Sequence, residues 1–292
     1  MMSSASDPNK TIFFIADVIG EPGVTFLETF LKPLIGKYKP DWVIANAENT
    51  HEGRGLNHEI VQRMYDAGVH ILTGGNHSFD KWKIFGYMNE DPNLLRPANY
   101  PDGNPGKGYG IYSLRGSPYK LGVLNLQGRT FMPDIDDPFS KADALLAEIK
   151  KETPAIFVDF HAEATAEKMA MGWYLDGRVS AVIGTHTHTP TADARILPAG
   201  TGYLTDAGMT GPFQSVIGMN RKTAIRRFTH GAPQRFTVAT KDVRLCGVLT
   251  KINMITGVCT SIQPIIYPEF VTSTRTSDTR TTNTRNEENG TE

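Results

Sequence analysis

Five short polar clusters carry the side chains of this 292-residue chain that can do chemistry. They are Asp17; Asn46-Ala47-Glu48-Asn49; Gly75-Asn76-His77; Asp159-Phe160-His161; and Gly184-Thr185-His186-Thr187-His188. Taken singly, each has an ordinary explanation. Asp17 could cap a helix or turn. Asn76-His77 could be a turn with an asparagine in the left-handed region. His161 could be a hydrogen-bonded core imidazole. Together, their mix of carboxylate, amide and imidazole points to metal ligation. Such a set suits Mn, Fe or Zn, and the lack of cysteine in it argues against a structural zinc site. His186 and His188 form a His-x-His pair behind a glycine, a spacing expected to put two imidazoles on one side of an extended backbone. The candidate ligands are Asp17, Glu48, Asn49, Asn76, His161, His186 and His188. They are too many for one catalytic ion with an open position, and they suit two divalent transition ions sharing a carboxylate and a water. Asp159 stands two residues before His161, where it could orient an imidazole or cap the strand, and the hydroxyls of Thr185 and Thr187 could orient imidazoles too. Arg129 reads as a surface arginine rather than a phosphate contact.

Each cluster must be delivered by the element before it. Apolar runs of strand length cover 11–16, 42–45, 70–72, 155–160 and 181–183, and each ends at one of the clusters. Strand ends feed the loops in which sheet-based folds build their sites. Helices are predicted over 24–38, from the spacing of Phe26, Leu27, Phe30, Leu31 and Leu34, and over 58–67, 140–151 and 164–175. Asp137 or Ser140 would cap the third of these. Strands over 109–113 and 121–126 suggest a hairpin across Arg115-Gly116-Ser117-Pro118. After residue 184 the chain reads mostly as strands. The pattern is α/β in its first half and richer in β in its second, within one domain over 11–270. The first ten residues, and 271–292, rich in Thr, Ser, Asn, Arg and Glu, have little to bury and are expected to be disordered. The Pro- and Gly-dense stretch 96–110 lacks the P-loop pattern and reads as a surface loop.

Bulk composition narrows the classes. Hydrophobic residues make up 39% and charged residues 21%, as in ordinary globular chains. A net charge of -1 excludes a nucleic-acid coat or a polybasic membrane binder. A nucleotide or a short RNA end could still enter a cleft that carries metal charge. Cys246 and Cys259 lie in strand-like runs and read as two buried thiols. The N-terminus shows no signal-peptide pattern and no apolar stretch approaches a membrane span, so a cytoplasmic protein with no membrane association is expected. Homo-oligomers are common among enzymes of this size, and a homo-oligomer is the expectation here.

The succession Gly75-Asn76-His77, His161, Gly184-x-His186-x-His188 resembles that of the calcineurin-like metallophosphoesterases. Two departures mark a narrower group: Val18-Ile19 follow Asp17, and Asn46-Ala47-Glu48-Asn49 replaces the usual aspartate pair. The runs FIADVIGEPG, NAEN, GGNHSFD, LNLQGRTFM and the long stretch 158–212, opening VDFHAEATAEKMAMG, resemble the bacterial YmdB-like phosphodiesterases. The resemblance covers residues 12–266. It implies a four-layer α/β/β/α sandwich and phosphodiesterase activity with 2′,3′-cyclic nucleotides as substrates. It implies that Asp17, Glu48, Asn49 and His188 hold one ion; the Asn and carboxylate donors themselves fit Fe or Mn better than Zn. Glu48, Asn76, His161 and His186 would hold the other, with Glu48 bridging. A bridging hydroxide would attack phosphorus and His77 would be the proton donor. Two other readings stand beside it: a phosphomonoesterase using the same ions, and a metal-stabilised, RNA-associated regulatory scaffold.

Overall fold

Burial with a period of two explains why the chain makes layered sheets. In β1 (Asn9–Ile15), Phe13 and Ile15 face one apolar cluster while Ile12 and Phe14 face another, and all are fully buried. In β3 (Trp42–Asn46), Val43 and Ala45 join the first cluster and Trp42 and Ile44 the second. A strand apolar on both faces needs a covering layer on each side.

The computed structural model describes residues 7–270 apart from 232, 234 and 236. One sheet runs β2 (Asp17–Val18), β11 (Met209–Pro212), β12 (Val243–Asn253), β1, β3, β4 (Ile71–Thr73), with β13 (Cys259–Tyr267) also paired to β12. The other runs β5 (Tyr109–Ser113), β6 (Lys120–Gln127), β7 (Ile156–His161), β8 (Ala181–Thr185), β10 (Gly202–Leu204), β9 (Arg195–Ile196). Strands β1, β3 and β4 are parallel, as are β6, β7, β8 and β10. Their helices are α1 (Gly20–Tyr38), α2 (His58–Ala67), α3 (Phe85–Glu90), α4 (Pro138–Ile149), α5 (Thr165–Tyr174) and α6 (Arg221–His230). Leu27 and Leu31 of α1 and Val61 of α2 pack on Phe13 and Val43 of the first sheet. Leu146 of α4 and Met171 of α5 pack on Val158 and Phe160 of the second. Between the sheets, Phe14 and Phe157 meet with ring centroids 5.2 Å apart. The result is the four-layer α/β/β/α sandwich. Among the described residues, no helix is long and apolar enough to cross a membrane.

Local signals placed most elements. Helix α2 occupies the span predicted for it, with the Asn57 side chain accepting from Ile60 N. Asp137 caps α4 by accepting from Phe139 N and Ser140 N. The β5–β6 pair is the expected antiparallel hairpin. Helix α1 starts at Gly20 rather than at residue 24, because Pro22 is tolerated in a first turn. Strand β1 begins at Asn9, inside the stretch expected to be loose. The tail 271–292 lies outside the described residues. The chain after residue 184 is not all strands. It includes α6, in which only Ala224 is buried, so no apolar stripe announced it. A 3-10 turn (Trp82–Ile84) and α3 also went unpredicted, being too short to show a period. In the stretch 96–110 the Arg96 guanidinium turns back onto the carbonyls of Pro97 and Pro105 and closes the loop on itself. Both cysteines are free and buried, and burial pushes their thiols up to about 12 for Cys246 and about 11 for Cys259.

Candidate metal centre

The C-terminal ends of β1, β3 and β4 in one sheet and of β7 and β8 in the other meet at one place. Asp17 follows β1, Glu48 and Asn49 follow β3, and Asn76 and His77 follow β4. His161 ends β7, and His186 and His188 follow β8. Gly75 lets the sheets close: a Cβ there would overlap the Glu48 carboxylate and the His161 ring.

All seven predicted ligands come together. Around His161 Nε2 lie Glu48 Oε1, Asn76 Oδ1 and His186 Nδ1, each at 3.0 Å. One imidazole N–H can serve one of these acceptors, yet three converge on it. Ligand atoms of Glu48, His161 and His186 all lie within 4.8 Å of one another. On the other side, His188 Nε2 is 3.4 Å from Asp17 Oδ2 and 3.3 Å from Asn49 Nδ2. Asn49 Nδ2 also lies 3.0 Å from Glu48 Oε1, so Glu48 sits between the two groups. Flipping the Asn49 amide, which leaves its shape unchanged, turns Oδ1 to the same point. Asp17 Oδ2 accepts from His186 N at 3.0 Å, while Asp17 Oδ1 is buried with no hydrogen-bond partner among the described residues. A buried carboxylate oxygen without a donor is costly unless a cation faces it. That orphan, and the N and O donors around it, fit divalent transition ions.

The outer nitrogens of the three imidazoles are already committed. Thr185 Oγ1 donates to Asp159 Oδ1 at 2.7 Å, so its lone pairs accept from His161 Nδ1 at 2.9 Å. His186 Nε2 faces Glu163 Oε2 at 3.1 Å. His188 Nδ1 donates to the Ile217 carbonyl at 2.9 Å. Each ring therefore turns a lone pair inward: Nε2 of His161, Nδ1 of His186 and Nε2 of His188. Outer-nitrogen acceptors of this kind fix the tautomer of ligating histidines. Electrostatics follow the same geometry. Burial opposes charge on His161, but the Glu48 carboxylate, its hydrogen bond, and Asp17 and Asp159 raise the imidazole to about 9. Glu48 is held well below the usual carboxylate range, the charge and hydrogen bond of His161 outweighing burial. Burial, reinforced by the His161 charge, lowers His186 to about 3. Burial also lowers His188, and it raises Asp17.

The His-x-His segment differs from the extended backbone predicted for it. Strand β8 ends at Thr185, and His186 (φ 100°) and His188 (φ 63°) both take positive φ. The turn sends the rings to opposite sides, His186 to His161 and His188 to Asp17. Thr187 between them donates from N and Oγ1 to Asp206 Oδ2, which also takes the Lys168 ammonium at 2.6 Å. Asp206 and Lys168 are almost fully buried.

His77 stands at the rim. Its N–H donates to Glu48 Oε2 at 2.8 Å, and its Nδ1 lies 3.0 Å from Asp80 Oδ2. The Arg54 guanidinium is 2.6 Å from the same carboxylate and 3.2 Å from His77 Nδ1. Sequence reasoning missed Arg54, Asp80, Glu163, Lys168 and Asp206. The strand-end rule could have found Asp206, which follows β10, and the spacing of three from His77 could have flagged Asp80. Arg129 is a surface arginine paired with Asp137.

A family model described as YmdB-like protein matches residues 13–265. The chain belongs to this family. A 2′,3′-cyclic-nucleotide 2′-phosphodiesterase of Bacillus subtilis is 51% identical over 255 residues, covering 87% of this chain and 96% of the relative. Two solved structures resemble this YmdB-like chain closely. A hypothetical protein from Thermus thermophilus has 40% identity and a TM-score of 0.82, covering 88% of this chain and 98% of that one. A novel phosphatase from Mycoplasma pneumoniae has 36% identity and a TM-score of 0.82, covering 88% and 93%.

Proposed function

We propose that this YmdB-like chain is a metal-dependent phosphodiesterase whose substrates include 2′,3′-cyclic nucleotides. The observation that carries the reading is the convergence of three inward imidazole lone pairs, outer nitrogens committed, on Asp17, Glu48 and Asn76. Asp17, Asn49 and His188 would hold one divalent ion, Asn76, His161 and His186 a second, and Glu48 both. Fe or Mn suits these donors, with Zn the third choice. Such ions acidify a water and neutralise phosphate oxygens. The protein's own residues do the rest. His77 sits beside Asn76 without being needed as a ligand, and it gives a proton to the ribose oxygen as the P–O bond breaks. Asp80 and Arg54 face His77 Nδ1, and the Asn76 amide nitrogen lies 3.1 Å from Nε2, so the ring is held from both sides at the rim. The name of the Bacillus relative supports cleavage at the 2′ oxygen, which leaves a 3′-phosphate. Two unpaired thiols fit a reducing, cytoplasmic setting. A phosphomonoesterase on the same residues is the second reading, favoured by the name of the Mycoplasma relative.

The test is metal content by mass spectrometry beside hydrolysis of 2′,3′-cAMP, bis-p-nitrophenyl phosphate and 3′-AMP, with and without chelator. The reading expects about two transition ions per chain and chelator-sensitive cleavage of the diesters. Faster release of phosphate from 3′-AMP than opening of the cyclic diester would favour the monoesterase. No ion and no cleavage after reconstitution with Mn or Fe would sink both.

A further inference from the structure

Helix α6 is the least integrated element of the fold. It carries Arg221, Lys222, Arg226 and Arg227 and no acidic residue, and all four cations are exposed. None of the four has an ion-pair partner among the described residues. Some other surface cations are paired, such as Arg63 with Glu21 and Glu28, Lys120 with Glu152 and Arg178 with Asp143. In a chain of net charge -1, this helix is a local excess of positive charge. Phe228 and Ile225 stand out from the same helix, 81% and 57% exposed.

The helix is also tied to the metal centre. It follows directly on the turn whose Ile217 carbonyl holds His188. Asn220 N donates to the Thr237 carbonyl, and Met219 pairs with Val238. Thr237 and Val238 line a cleft of about 800 Å³ whose charged walls mix Arg54, Lys81 and Arg235 with Glu21, Glu52 and Glu59. Arg54 is the residue that touches His77 and Asp80. Within the cleft Arg54 is paired with Asp80 and Lys81 with Glu52, so the cleft joins the rim of the metal centre to the segment that carries α6, and the unpaired positive charge stands on α6.

We propose that this cleft and α6 form a track for single-stranded RNA, and that the preferred substrate is an oligoribonucleotide ending in a 2′,3′-cyclic phosphate. The proposal rests on the phosphodiesterase reading above and names its substrate class. The chemistry is direct. A 2′,3′-cyclic phosphate forms when a ribose 2′-hydroxyl attacks its own 3′-phosphodiester and cuts the strand. The cyclic end then still carries the nucleotides on its 5′ side, each with one phosphate. Single-strand grooves combine cations that follow the backbone with aromatic rings on which bases stack. Lys222, Arg226 and Arg227 supply the first and Phe228 the second. A second copy of the chain would bring an equally cationic helix to the same surface and be repelled. An anionic membrane would match the charge of α6 but has no use for a cleft leading to the rim at His77.

The test uses the full chain, a variant with Lys222→Ala, Arg226→Ala and Arg227→Ala together, and a 5′-fluorescein pentaribonucleotide. Anisotropy with the 3′-phosphate form reads binding without turnover. Kinetics with the 2′,3′-cyclic form are set against 2′,3′-cAMP. The track expects a KM for the pentanucleotide at least tenfold below that for 2′,3′-cAMP. It expects the variant to lose that advantage while keeping its kcat/KM on 2′,3′-cAMP, which also shows that it folds. Three phosphate contacts would weaken binding roughly twentyfold between 50 and 200 mM salt. Equal KM values in the parent protein, or unchanged pentanucleotide binding in the variant, would overturn the proposal. So would loss of sedimentation with phosphatidylserine vesicles, or of self-association, with pentanucleotide binding intact. If neither cyclic compound is cleaved yet pentanucleotide binding still depends on α6, the phosphodiesterase reading fails and the track stands.

Discussion

At His161 Nε2 a proton and a cation compete for one lone pair. Without a cation the imidazole is raised to about 9 by Glu48 and its neighbours. Its folded pKa exceeds its unfolded value near 6.5, so its contribution to the stability of the metal-free protein is fully present below that value. That contribution is lost as pH rises through about 9. Metal binding must displace the proton, so apparent affinity should rise with pH by about tenfold per unit over that window and then flatten. His186, lowered to about 3, is already neutral there and adds no slope. Calorimetric titration of the chelated protein with Mn²⁺ at several pH values reads this, and a pH-independent Kd would contradict it. His77 predicts differently, because it is not among the ligands. His77→Ala should leave metal content unchanged and cut kcat on 2′,3′-cAMP by about 10²–10⁴-fold. The loss should be smaller on bis-p-nitrophenyl phosphate, whose leaving phenolate needs no proton; equal losses on both would argue against proton donation. The residues proposed as ligands, which the fold brings together, could be picked out of the sequence because metal chemistry restricts their types. Of their outer partners, Thr185 could be read as a hydroxyl able to orient an imidazole, and it touches His161 directly while Asp159 acts through it; the main-chain carbonyl at Ile217 could not be read, because no side chain marks it.

The loop after β8 shows how an element is held in a conformation its sequence would not choose. Two proposed ligands there, His186 and His188, take positive φ, a placement that costs on the order of 1–3 kcal/mol for each non-glycine residue. The hold comes from Asp206, which fixes Thr187 between them and is itself neutralised by Lys168 from α5. Lys168→Met would leave a buried carboxylate with only Thr187 and Gly208 as donors. It should destabilise the fold by about 3–5 kcal/mol in urea unfolding and lower metal content with it. A variant with unchanged midpoint and full metal content would show that the loop holds its shape unaided. Sequence periodicity found α1, α2, α4 and α5 because each buries an apolar stripe against a sheet. It missed α6 because that helix buries only Ala224, and nothing in the spacing of Lys168 or Asp206 separated a buried pair from solvated charges.

Across the whole molecule, the site exists only while the two sheets are docked. Asp17, Glu48, Asn49 and Asn76 belong to one sheet, and His161, His186 and His188 to the other. Buried polar groups join the same seam. Asp159 of β7 accepts from Thr73 and Asn46 across the sheet boundary, and Asn125 of β6 accepts from Gly74 N. Below them Phe14 and Phe157 fill the space between sheets. Ions held by the proposed ligands would therefore stabilise the docked pair and not either sheet alone. At a free metal concentration about a thousandfold above Kd, linkage adds about 4 kcal/mol for each site. Chelation should lower Tm while leaving a single unfolding transition. Phe157→Ala, a truncation in the layer between the sheets, should cost about 3–5 kcal/mol. It touches no ligand, so the parent and the variant should gain the same increment of stability from metal. Scanning calorimetry of both proteins, with and without chelator, decides the matter. Two transitions, one of them insensitive to metal, would mean that one sheet melts on its own, and the coupling argued from the split ligand set would then be wrong.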